Sequence, residues 1–243
     1  MLKSGKTVIG ASASPASDMN FPGNSGYDFL LFDTQHSSVD IKQLGPVIQA
    51  LRGKQATPIV RVSDNRADII CFALDAGARG IIVPMVNTAQ EAADMVQSCL
   101  YDPKGVRSNA GTRGEWGEFA GYRDYLDTVN DQLVVIPMIE TTESLDNIDD
   151  ILSVPGIDVL LVGPSDFSIA LEVPLDHESE TYQAGLDKIA AACKTHGVTP
   201  GMYFIPPGMD PNFYVEKGFK FFTMPWNGWA TAGVQDGLAA INR

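Results

Sequence analysis

The chain of 243 residues reads as an α/β protein, a single (β/α)8 or TIM barrel over residues 1–243, and three observations lead there. Eight short apolar, β-rich runs recur along it, continuous rather than alternating, as strands of a parallel sheet covered by helices are. Helical patterns separate the runs. The length and a hydrophobic content of 44% suit one large core. An open doubly wound sheet is the second choice, and would need fewer strands or an antiparallel edge.

The first strand is expected at 7–11 (Thr-Val-Ile-Gly-Ala) and the second at 27–33 (Tyr-Asp-Phe-Leu-Leu-Phe-Asp). An amphipathic stretch over 40–52 leads to strands at 57–62 (Thr-Pro-Ile-Val-Arg-Val) and 79–84 (Arg-Gly-Ile-Ile-Val-Pro). The next helix, 87–100, opens on Thr88-Ala89-Gln90-Glu91, with an acid near the positive end of the helix dipole. Segment 101–131, rich in Gly, Arg and aromatics, is too long for a simple loop and is expected to be functional or an oligomer contact. Strands follow at 132–139 and 157–163, separated by a helix over 142–153 that opens on Thr142-Glu143-Ser144-Leu145. A long helix over 178–196 stops at Gly197 before the strand at 199–204. A short helix after Pro211 stops at Gly218 before the last strand, 219–224.

In a parallel barrel the C-terminal strand ends carry the chemistry. Here those ends offer Asp33-Thr34-Gln35-His36, Arg61, Pro84-Met85-Val86, Glu140, Asp166, Tyr203-Phe204 and Pro225-Trp226-Asn227. Asp33 three residues before His36 can orient the imidazole and raise its basicity, or simply close a strand. Arg61 interrupts an apolar run, so it either pairs with a core acid or meets an anion at the barrel mouth. Glu140 and Asp166 each follow an apolar run; singly, one could be a helix N-terminal acid and the other an N-cap. Together they suit a hard divalent cation.

A formal net charge of −13 and a pI of about 4.5 argue against nucleic acid or an anionic membrane as partner. Three cysteines without a CxxC pair, no signal peptide and no membrane-length apolar segment suggest a reduced, cytoplasmic setting. Ser4-Gly5-Lys6-Thr7 lacks the upstream Gly of a P-loop. His177 and His196 are expected at the surface, Cys71 and Cys99 as small core fillers. No Lys ends a strand, so Schiff-base chemistry lacks a nucleophile and metal-assisted enolate chemistry fits better.

The blocks Phe32-Asp33-x-Gln35-His36-Ser37, Val60-Arg61, Val83-Pro84-Met85-Val86-Asn87 and Asp102-Pro103-Lys104-Gly105-Val106-Arg107-Ser108 run in order along the chain. Ile139-Glu140-Thr141, Asn147, Val154-x-Gly156-Ile157-Asp158 and Val162-Gly163-Pro164-Ser165-Asp166-Phe167-Ser168 complete them. In this order the chain resembles the HpcH/HpaI aldolase family, the metal-dependent pyruvate aldolases, over nearly its whole length. The resemblance implies that Glu140 and Asp166 ligate Mg²⁺, Mn²⁺ or Co²⁺. It also implies that Gly163, Ser165 and Asp166 hold the carboxylate of a 2-oxo acid, and that Arg61 stabilises a developing enolate. Asp33 and His36 would manage the proton. The implied reaction is reversible cleavage of a 4-hydroxy-2-oxo acid to pyruvate, or an analogue such as hydroxypyruvate, and an aldehyde.

Oxaloacetate decarboxylation, cleavage of a CoA ester, or a catalytically silent keto-acid-binding barrel are the alternatives. Relatives of this family form hexamers, often trimers of dimers, with C-terminal helices exchanged between subunits; the tail Leu238-Ala239-Ala240-Ile241 is compatible with that. Gln35 stands where many relatives carry Glu, and the stretch after Asp166 lacks the usual Gly-rich loop. Tyr203 and Trp226 suggest a more aromatic acceptor pocket.

Overall fold

A computed structural model describes residues 2–16, 18–112 and 116–241. Eight parallel strands close on themselves in sequence order, β1 pairing with β8. They are β1 Val8–Ala13, β2 Phe29–Asp33, β3 Thr57–Arg61, β4 Gly80–Val83, β5 Val134–Ile139, β6 Val159–Val162, β7 Thr199–Met202 and β8 Phe221–Met224. The open sheet is thereby excluded: every pairing is parallel and no edge remains. Each expected strand is present, trimmed or shifted by a residue or two, as is usual where hydrogen bonding frays.

The helices on the outer face are α1 Leu44–Gln49, α2 Ala67–Ala76, α3 Ala89–Cys99, α4 Tyr122–Gln132, α5 Thr142–Asp146, α6 Ile148–Leu152, α7 Pro164–Ala170, α8 Glu180–His196, α9 Pro211–Glu216 and α10 Trp226–Ala239. Thr88 and Glu91 form a capping box that starts α3, and Gly197, at φ 71°, ends α8. The helix expected over 142–153 is two short ones meeting at Asn147, and its cap is Thr141 with Ser144, one residue earlier than the composition suggested. Segment 101–131 contains most of α4, whose Tyr125 and Val129 pack with Tyr101, Trp116 and Phe119 into a cluster of their own. The Arg-Gly-Glu stretch 113–115 lies outside the described residues.

Two apolar layers follow from strands buried on both faces. The larger lies between sheet and helices and includes Leu30, Phe32, Val60, Ile81, Val83, Leu160 and Val162. The smaller fills the barrel itself with Val8, Phe29, Leu31, Ile59, Ile82, Ile136, Met138, Val159, Leu161 and Phe221. Phe29 and Phe221 stack at 4.4 Å, and Gly10 leaves the room: a Cβ there would come within 2.3 Å of the Phe29 ring. Cys99 and Cys193 are buried among this packing, which pushes both thiols up to about 12 and keeps them neutral. Cys71 is only half-buried, its Sγ 4.0 Å from Asp75.

Helix α10 departs from this pattern. None of its residues is buried, Trp229, Val234 and Leu238 are exposed, and Ile9 on the outer face of β1 is 40% exposed. Among the described residues no helix is long and apolar enough to cross a membrane.

Candidate active site

The β2–β3 register sets Asp33 directly beside Arg61. Both residues end their strands, so both side chains reach the C-terminal mouth. Arg61 is 4% exposed, and its charge is matched by Asp33 in a two-point pair: Nε donates to Oδ1 at 2.9 Å and Nη2 to Oδ2 at 2.6 Å. Burial alone would raise the Asp33 carboxyl, but the bonds and charge of Arg61, with the backbone N–H of Gln35, outweigh it and bring it below the ordinary range. Tyr203, just past β7, lays its ring over the guanidinium at 4.1 Å and donates its hydroxyl toward Asp33 Oδ2 at 3.4 Å.

Asp33 is therefore Arg61's partner first. The expected Asp33–His36 pairing is made through the backbone: the His36 N–H points at Oδ1 from 3.5 Å, and the carboxylate's strong contacts go to Arg61 and to Gln35 N–H at 2.9 Å. The His36 side chain is exposed at the mouth. Gln35 is half-buried, with an Oε1 that has no hydrogen-bond partner among the described residues.

Glu140 follows β5 and is 2% exposed. It does not serve a helix end; its Oε2 accepts the Met85 N–H at 2.8 Å. That donor is aimed by an uncommon backbone, since Met85 sits at φ 55°. Thr141 bonds Asn87, and Asn147 donates to the Asn87 carbonyl at 2.9 Å, which fastens the β5 rim to the β4 rim. Asp166 is the third residue of α7 rather than its cap, which is Gly163, and it is exposed. Burial raises the Glu140 carboxyl, and the nearby Asp166 charge raises it further, against the Met85 N–H, Arg61 and His36. Glu140, Asp166, Arg61 and His36 thus share one electrostatic neighbourhood.

Gly163 lines this neighbourhood because nothing larger fits. A Cβ on it would stand 2.4 Å from Glu140 Oε1. Two carboxylates that disfavour each other's charge, with space preserved against one of them, fit a hard divalent cation. Among the described residues no group of three or more His, Cys, Asp or Glu side chains gathers as a full cage. A two-carboxylate set leaves further coordination positions to substrate and water.

Two histidines expected at the surface behave otherwise. His177 is 9% exposed; its ring bonds the Pro164 carbonyl in the first turn of α7 and meets Tyr182 edge-on at 5.0 Å. The burial keeps its pKa low despite that bond. His196 is half-buried, with Nε2 3.0 Å from Asp149. Met85, at the rim as the sequence suggested, contributes through its backbone, whereas His177, seven residues past the end of α7, is a contributor that sequence reasoning missed. Trp226 opens α10, half-buried, its ring 6.3 Å from Phe21.

A closed parallel barrel that gathers a buried arginine and two carboxylates at its C-terminal mouth has the layout of an enzyme active site. The profile of the HpcH/HpaI aldolase/citrate lyase family matches residues 8–229, and the chain belongs to that family. It is 33% identical over 178 residues to the hydroxypyruvate/pyruvate aldolase of Roseovarius nubinhibens, covering 72% of this chain and 69% of that one. It is 34% identical to the 5-keto-4-deoxy-D-glucarate aldolase of Klebsiella pneumoniae over 82% of this chain and 77% of the relative. The crystal structure of a family member from Burkholderia cenocepacia superposes with a TM-score of 0.84 at 28% identity, covering 97% of this chain and 95% of that one. The protein is a carbon–carbon lyase of the aldolase type.

Proposed function

We propose that the chain is a divalent-metal-dependent aldolase that reversibly cleaves a 4-hydroxy-2-oxo acid to an aldehyde and pyruvate, or a close analogue such as hydroxypyruvate. The observation that carries this reading is the buried Arg61 held at one mouth with the buried Glu140 and the adjacent Asp166. Glu140 and Asp166 would hold the cation (Mg²⁺, Mn²⁺ or Co²⁺), which supplies Lewis-acid polarisation of the 2-oxo group when bound. The N–H groups of Ser165 and Asp166, beside Gly163, belong to the first turn of α7 and are left without helical partners; they would take the substrate carboxylate.

With Nε and Nη2 committed to Asp33, Arg61 has Nη1 to offer. It donates to the 2-oxo oxygen and stabilises the negative charge that arrives there as the C3–C4 bond breaks. The His36 ring takes the proton of the 4-hydroxyl as the aldehyde forms and returns a proton to C3. Gln35 Oε1 is an acceptor for a water or a substrate hydroxyl at the same place. Trp226, which follows β8 with its ring 6.3 Å from Phe21, would wall the side on which the aldehyde lies.

The test is to strip the protein with a chelator and assay pyruvate or hydroxypyruvate against a panel of aldehydes, then add back Mn²⁺, Co²⁺ or Mg²⁺. Activity should vanish and return; full turnover in the metal-free protein would sink the proposal. Oxaloacetate and a CoA ester belong in the same panel. A net charge of −13 weighs against a grip on CoA phosphates. We also infer a homo-oligomer, a hexamer built as a trimer of dimers, in which α10 covers the exposed outer face of β1 in a neighbouring copy. The support is that α10 buries none of its residues while Ile9 stays open.

A further inference from the structure

In an eight-strand barrel closed in sequence order, β7 stands across from β3. Tyr203 therefore reaches over the mouth to the guanidinium that β3 supplies. A carboxylate that grips a guanidinium by its Nε and Nη2 edge fixes that edge, yet the group can still rock about it. A flat ring packed against it restricts that freedom, and the attraction between the cation and the ring's electron-rich face holds the two together. Here the ring lies 4.1 Å from the guanidinium carbon, and its hydroxyl returns to Asp33 Oδ2, the oxygen that also accepts Nη2. Asp33 is thus the hinge plate and Tyr203 the stop. Among the described residues the remaining edge, Nη1, meets only the thioether of Met138, at 4.0 Å, a poor acceptor. That edge stays available.

We propose that Tyr203 is a positioning residue for the reaction: it acts through Arg61, locking the guanidinium plane so that Nη1 faces the oxygen on which charge develops. This rests on the reading of Arg61 given above. Burial raises the Tyr203 hydroxyl far above its ordinary value, so it stays a neutral donor to Asp33 throughout the working pH range. The competing account is a plug: Tyr203 packs at the margin of the barrel-filling cluster and could merely seal it. A plug needs volume alone, whereas a clamp needs a flat ring.

Tyr203→Phe and Tyr203→Leu separate the two in the full-length, Mn²⁺-loaded protein. The reaction to follow is exchange of the pyruvate methyl hydrogens for deuterium in D2O, which requires no aldehyde. Y203L should lower kcat for exchange by about tenfold or more while KM for pyruvate moves less than about threefold, since a misaimed group loses rate before binding. Y203F should stay within about threefold of the parent. In metal-free protein the Arg61 Nε–H resonance, assigned by its disappearance in Arg61→Lys, should carry a ring-current shift that Y203F keeps and Y203L loses. If Y203L does not fold, Tyr203→Met, an unbranched and adaptable filler, takes its place in both measurements.

Equal exchange rates in Y203L and the parent would overturn the proposal. So would a Y203L effect that multiplies undiminished onto Arg61→Ala, because Tyr203 would then act on substrate without the arginine. Unchanged exchange in Arg61→Ala alone would instead overturn the role given to Arg61, with the ring-current shift still reporting the contact itself.

Discussion

Gly163→Ala is the smallest change that should disable the site. The backbone there, φ −90° and ψ 97°, suits any residue, so the requirement is for space and not for conformation. The added methyl would lie 2.4 Å from Glu140 Oε1, 2.8 Å from Cγ and 2.9 Å from Cδ. Ordinary contact begins at 3.4 Å, so the carboxylate must retreat by about 1 Å. Retreat is obstructed, because Glu140 is 2% exposed and its Oε2 is tied to Met85 N–H at 2.8 Å. Stretching that bond past about 3.5 Å leaves a buried carboxylate without its donor, costing about 1–3 kcal/mol, and the crowding itself costs a similar amount. Together these come to about 2–6 kcal/mol, and in a domain of this size each 1 kcal/mol lost lowers Tm by roughly 2–4 °C.

The functional loss should be larger. With Glu140 as the proposed metal ligand, its displacement by about 1 Å is expected to cut turnover by about a hundredfold and to weaken Mn²⁺ binding by about 10–100-fold. Calorimetric titration of Mn²⁺ into metal-free protein, thermal melts and pyruvate release would be read together. A variant that binds Mn²⁺ as the parent does and keeps turnover within threefold would refute the reasoning, whatever its Tm.

Asp33→Asn leaves Arg61 buried without a countercharge and should cost about 3–5 kcal/mol in denaturant unfolding. Because the folded carboxyl lies below the ordinary value of about 3.9, the pair's contribution is complete above about pH 4 and disappears as the pH falls through the depressed folded value. An acid-denaturation slope in that window that survives in D33N would show that another carboxylate causes it. His177 is held neutral by burial, so its contribution is present above about pH 6.5 and is lost as the pH falls from there toward its lowered folded value. His177→Gln should flatten the fall in stability below about pH 6.5, and an unaltered slope would exonerate the histidine. Trp229→Glu with Leu238→Glu puts charge on opposite sides of the exposed helix α10; light scattering should report a smaller particle, and an unchanged mass would place the subunit contact elsewhere.

The barrel was legible because its strands are buried on both faces, so runs such as Leu30-Leu31-Phe32 and Val159-Leu160-Leu161-Val162 carry no polar interruption. The rim positions of Arg61, Glu140 and Asp166 followed from where those runs stop. Partnership was harder to read. Asp33 and His36 are close in sequence, yet strand register gives Asp33 to Arg61, which lies 28 residues away. The cation–ring contact of Tyr203 spans the barrel and leaves no local pattern. His177 sits in a polar turn and looks like surface; only the return of the chain beneath α7 buries it. The helix within 101–131 was obscured because α4 is polar on most of its circumference and presents little beyond Tyr125 and Val129 to the interior.

The stacked Phe29 and Phe221, with Gly10 making room for them, stop the barrel's central channel below the reaction mouth. A cleavage that yields two fragments therefore takes place in a blind well with one doorway. On the proposed reading the fragment seated against Arg61 and Gly163 would lie at the bottom of that well, with the other fragment above it. Order of departure would then be a matter of depth: the upper fragment would leave first, and in the synthetic direction the lower one would enter before its partner. The filling of the barrel's own floor would thereby impose a sequence of events on the reaction.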